Sequence, residues 1–194
     1  MIAQTTTAYD HEQLTQQQML KNARMGLALW RFANGMIFLF FAFANALMRS
    51  VQASWPPEGV APLDRSLPIL ITLVIVASHV TAGRVLSAVR GNRFPEAGRF
   101  GVASIALGLV FFIGLIAASA SVPYSGAYSS IVLAMQGFHA LHMLIALLLM
   151  GWVLARVQRG RYNAEKHWGV EAAVIFWHFV DAMWLFFFAV IYIL

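Results

Sequence analysis

Five stretches of this sequence are long and apolar enough to cross a bilayer, which restricts the possible folds before any motif is considered. They run over approximately Leu27–Met48, Leu67–Val89, Phe100–Ala120, Ala127–Ala155 and Gly169–Leu194. A helix rises 1.5 Å per residue, so about 20 residues cover the roughly 30 Å of hydrocarbon. No water is available there to bond backbone groups, so runs of this length are predicted to be α-helices. Charges inside them are few, which separates spans from amphipathic surface helices. The predicted fold class is all-α, an integral membrane bundle of five transmembrane helices over residues 25–194. Residues 1–24, rich in Gln and Thr, lack the basic stub and apolar core of a signal peptide and are expected to form a polar cytoplasmic N-terminal segment.

Composition agrees: 60% of residues are hydrophobic and 11% charged, where a water-soluble domain carries about 25% charged residues. With no cysteine, disulfides and thiolate metal sites are excluded. The net charge of +5 raises nucleic acid as a partner, but its distribution argues against that. Eleven of the thirteen basic residues lie on one side: Lys21, Arg24, Arg31, Arg84, Arg90, Arg93, Arg99, Arg156, Arg159, Arg161 and Lys166. Only Arg49 and Arg65 lie on the other. By the positive-inside rule the N-terminus is cytoplasmic and the C-terminus outside. The face formed by Arg84, Arg90, Arg93, Arg99, Arg156, Arg159, Arg161 and Lys166 is suited to anionic lipid headgroups.

Polar side chains at membrane depth are costly and usually face protein or a cavity. Here they are Asn34, Asn45, His79, Gln136, His139, His142, His178 and Asp181, with Glu171 nearer the basic boundary. His139 and His142 share a helix face, as do His178 and Asp181. Counted from the cytoplasmic ends of their helices, His142 and Asp181 come out level, about 18 Å deep at 1.5 Å per residue. The spacing therefore predicts an interhelical His142–Asp181 hydrogen bond. Three roles fit this set: mutual satisfaction between helices, a lipid or proton role along a cleft, and a metal or haem site. The first is preferred, because a catalytic metal would normally show more ligands. No phosphate loop, His-Glu-x-x-His or nucleophile elbow is present. Ser104 and Gly108 form a small-xxx-small pair, a signal of close helix packing.

The motifs "GFHALHMLIALL" and, about 30 residues later, "HWGVEAAVIFWHFVDAMWLFFFAVIY" resemble the end of subunit III of haem-copper cytochrome oxidases. That family carries Gly-Phe/Thr-His-Gly-Leu-His in one helix and Trp-His-Phe-Val-Asp-x-x-Trp in the last. The matching positions are Gly137, Phe138, His139, Leu141 and His142, then Glu171, Trp177, His178, Phe179, Val180, Asp181 and Trp184. "WPPEG" after the first span and the rhythm of the middle spans extend the resemblance to roughly residues 25–194, in the short five-helix bacterial form. It departs from the family in lacking a glutamate in the first span and another at the end of the third.

The resemblance implies a non-catalytic subunit of a proton-translocating oxidoreductase in the bacterial inner membrane. Such a subunit has no cofactor of its own, the haem and copper residing in subunit I. It stabilises subunit I, contacts subunit II, binds phospholipid in a V-shaped cleft and supports proton uptake. His139, His142, Glu171, Trp177, His178, Asp181 and Trp184 would form its lipid-binding or interhelical polar cluster. Two alternatives stay open: an accessory protein of nitric oxide reductase, and a stand-alone membrane haem or metal protein using His79, His139, His142 and His178.

Overall fold

The computed structural model describes the backbone of residues 2–194 and the side chains of residues 14–194. It contains α1 (Ile2–Ser50), α2 (Ser66–Arg90), α3 (Phe94–Ala120), α4 (Ala127–Gln158) and α5 (Trp168–Phe188), the last continuing into a π-helical turn, Ala189–Ile193. Among the described residues there is no strand, and five helices are long and apolar enough to span a membrane. The chain falls into two units, residues 1–34 and residues 35–194. In the first, the Asn34 side-chain amide donates to the Trp30 carbonyl at 2.9 Å, back along the helix.

Three of the four connections are shorter than the sequence suggests, and the α3–α4 link is as expected. The link between α2 and α3 is only Gly91-Asn92-Arg93, because Pro95 lies in the first turn of α3 rather than in the loop. Proline is tolerated there, since its missing N–H would have had no helical partner. Asn92 takes the left-handed conformation, φ 53°, which asparagine accepts more readily than most residues. Its side-chain oxygen receives the Ala164 amide at 3.0 Å, tying this link to the α4–α5 loop. At the other end of α2, the Asp64 carboxylate accepts from both the amide and the hydroxyl of Ser66. These bonds hold the Asp64 carboxyl below its ordinary value.

Within residues 35–194, α2 packs on α3, α3 on α4, α4 on α5, and α5 back on α2, closing a ring of four helices. Lipid tails are as apolar as leucine, so packing and interhelical hydrogen bonds must hold such a ring together. Close approach depends on small residues. The buried line of α3 is Ala97, Gly101, Ser104, Gly108, Phe111, Leu115 and Ala118, at helical spacing. A Cβ on Gly108 would stand 2.6 Å from the Met143 methyl and 2.7 Å from the Trp177 ring. Ser104 is buried and its hydroxyl meets that of Thr81 at 2.8 Å. The small-residue pair is therefore a packing device. The interior around it holds Ile75, Phe111, Leu115, Met143, Val180 and Trp184. A second cluster surrounds Phe38 of α1, whose ring lies 4.9 Å from Phe138 and Phe187 and 5.1 Å from His142.

Candidate functional site

Several of the polar side chains at membrane depth assemble into a seam between α2 and α5. The Trp184 indole donates to the Thr72 hydroxyl at 2.8 Å, and the Trp177 indole donates to the Ser78 hydroxyl at 3.1 Å. The His79 Nδ1–H donates to Asp181 Oδ2 at 3.1 Å. The His178 Nε2–H donates to the His79 backbone oxygen at 3.1 Å, and the two imidazoles stack with centroids 3.8 Å apart. Nearer the basic end, the Arg90 guanidinium lies 3.5 Å from Glu171, and its Nε donates to His167 Nε2 at 3.3 Å. Positions rising along α2 meet positions falling along α5, so the two helices are antiparallel.

Local sequence explains this alignment. Trp177 and Trp184 are seven apart, two helical turns, and so share a face of α5. Thr72, Ser78 and His79 lie over a similar span of α2. Each buried indole thus finds a hydroxyl acceptor, as a polar group placed in an apolar medium requires.

The predicted His142–Asp181 bond does not form. Asp181 bonds to His79, and the His142 Nδ1–H donates to the Phe138 carbonyl of its own helix at 2.9 Å. α5 has two neighbours, and the carboxylate turns toward α2 rather than α4. His139 goes elsewhere again. It is fully buried among Phe38, Phe111 and Trp184, at 6.2, 5.7 and 5.3 Å between centroids. Both its ring nitrogens, and Asp181 Oδ1, are buried without a hydrogen-bond partner among the described residues. Glu171, Trp177, His178, Asp181 and Trp184 therefore belong to one seam, while His139 and His142 lie in the aromatic packing of α4. Thr72 and Ser78 were missed by sequence reasoning, because hydroxyls in apolar helices give no signal until their indole partners are known.

His79 and His178 are not placed to hold one ion between their rings. Imidazoles stacked face to face at 3.8 Å are in van der Waals contact and leave no space for an ion between them. Among the described residues no group of three or more His, Asp or Glu side chains is placed to hold a metal.

The basic residues divide by surroundings. Arg84 sits over Phe100, and Arg156 over Trp152 and Tyr162. Arg93 pairs with Glu96 at 3.1 Å. Arg159, Arg161 and Lys166 are exposed in or beside the α4–α5 loop. Arg99 is exposed at the edge of an open groove of about 500 Å³, lined also by Phe94, Pro95, Gly98, Val102 and Gln158.

Comparison with known proteins places these features in context. A family profile described as "Cytochrome c oxidase subunit III" matches residues 1–194. The cytochrome c oxidase subunit 3 of Synechocystis sp. is 32% identical over 173 residues, covering 87% of this chain and 74% of the relative. That of Thermostichus vulcanus is 31% identical over 174 residues, 88% and 86% of the two chains. That of the carp Cyprinus carpio is 33% identical over 183 residues, 89% and 69%.

Proposed function

The chain belongs to the cytochrome c oxidase subunit III family, and we propose that it serves as the non-redox subunit that packs beside the haem- and copper-bearing subunit I. Membership makes it an integral protein of a bacterial membrane and part of a complex with other oxidase subunits. The finer reading is that it stabilises subunit I, contacts subunit II, holds phospholipid and supports proton uptake from the cytoplasmic side. The haem and copper belong to the partner.

The α2–α5 seam carries this reading. It spends the chain's Trp177, Asp181, Trp184 and two of its histidines on joining helices, which suits a scaffold. Two features support a lipid role. The groove beside Arg99 combines apolar walls with one cation, as an acyl chain and its phosphate require. The exposed Arg159, Arg161 and Lys166 would attract anionic headgroups at the same membrane face. On this reading that face is cytoplasmic.

A mild-detergent pull-down of the tagged chain from its native membranes tests the proposal. Co-purification of a haem-copper core, seen in the visible spectrum and by mass spectrometry, is the expected result. Recovery of the chain alone, where other respiratory complexes survive, would overturn it. A core of the nitric oxide type would move the assignment to the accessory protein of that reductase.

A further inference from the structure

His79 lies thirteen residues past Ser66 and eleven before Arg90 in α2, about 20 and 17 Å from the helix ends at 1.5 Å per residue. It is therefore in the middle of the hydrocarbon. Its Nδ1–H is taken by Asp181 and one ring face by His178, yet half of the side chain is exposed on the outside of the ring of helices. Among the described residues, Nε2 has no hydrogen-bond partner. With Nδ1–H donating, the neutral ring offers Nε2 as an acceptor, directed away from Asp181. Beside it runs a groove of about 210 Å³ lined by Ile75, Val76, His79, Asp181, Ala182 and Leu185.

An acyl chain can fill the groove but cannot hydrogen-bond to the imidazole. Phospholipid headgroups, which can, stay at the interface more than 10 Å away in depth. Water is scarce at this level. A transmembrane helix can place a polar side chain at any depth and apolar ones on either side of it. We propose that the α2–α5 face around His79 is where another transmembrane subunit of the oxidase docks. Its helix brings a hydroxyl, amide or indole donor to His79 Nε2 and seats apolar side chains in the groove. The inference rests on the chain being an oxidase subunit, and it specifies which of its faces meets the protein partner.

The test uses the assembled complex. A photo-crosslinking amino acid is placed at Val76, in the groove, and separately at Ile113, an exposed position of α3. A third variant, Ala182→Trp, fills the groove while leaving the His79–Asp181 pair intact, and His79→Leu removes the acceptor. The expected results are a crosslink from position 76 to a larger oxidase subunit, a several-fold drop in co-purified core for Ala182→Trp, and a drop of about 3- to 20-fold for His79→Leu, the range of one interhelical hydrogen bond. A crosslink from 76 only to lipid or to a second copy of this chain, or a crosslink to the core from 113 alone, would overturn the inference. So would full retention of the core by Ala182→Trp. If the unaltered chain retains no core at all, the oxidase reading itself has failed, which the pull-down distinguishes.

Discussion

Asp181 sits near the middle of α5 with one carboxylate oxygen bonded to His79 and the other bonded to nothing among the described residues. A buried carboxylate with one partner is sensitive to losing it, because a polar group stranded in an apolar medium is costly. A double-mutant cycle of His79→Phe and Asp181→Leu, followed by thermal unfolding in detergent, should give a coupling of about 0.6–2 kcal/mol. The corresponding His142→Phe and Asp181→Leu cycle should be additive within about 0.5 kcal/mol. Comparable coupling in both would contradict the observed pairing. Asp64 tells a simpler story at the water boundary. Its carboxyl is held below the ordinary value of 3.8, chiefly by the Ser66 hydroxyl. The folded state thus binds this proton less readily than the unfolded one. Its contribution is present above the ordinary value and fades as pH falls through the lowered one. The protection of amides in the first turn of α2 against hydrogen exchange, taken relative to the intrinsic rate at each pH, should therefore fall on acidification through that window, and Ser66→Ala should flatten the response.

At the scale of elements, close approach of α3 to its neighbours depends on what Gly108 lacks. Gly108→Ala puts a methyl within 3 Å of both Met143 and Trp177, and overpacking of this kind costs about 1–3 kcal/mol. Met143→Ala in the same chain should recover part of the loss by opening space, whereas Met183→Ala, outside this contact, should not. Equal rescue by both would count against the geometry. The helices themselves were legible in the sequence, since a run such as 67–89 has only one economical way to satisfy its backbone in lipid. Their ends were less so: the third span is expected from Phe100, but α3 starts at Phe94 with Pro95 in its first turn, where it is harmless. Neighbour relations were the least legible. Depth along a helix follows from counting residues, but whether α5 presents Asp181 to α2 or α4 depends on a rotation that no single helix encodes. That rotation is set by the bonds of Trp177 and Trp184 to Ser78 and Thr72, which turn this face of α5 toward α2.

For the whole molecule, the distribution of arginine and lysine predicts an orientation that a chain without cysteine makes easy to measure. Single cysteines introduced at Glu58 and at Arg161, in the loops after α1 and α4, should be labelled by a membrane-impermeant maleimide from opposite sides. Glu58→Cys should react in intact cells and Arg161→Cys only after permeabilisation. The reverse pattern would invert the topology and assign the basic face to the outside. The closed ring also bears on biogenesis. His79 and Asp181 are 102 residues apart in the chain, and at about 5–20 residues per second the ribosome needs about 5–20 s between making one and making the other. Through that interval the Thr72 and Ser78 hydroxyls can bond to carbonyls of their own helix, as they do in the finished ring, but the His79 imidazole lacks the carboxylate that receives it. The α2–α5 seam thus closes late: it can zip up only once α5 is made, and the order of synthesis sets the order in which the ring is completed.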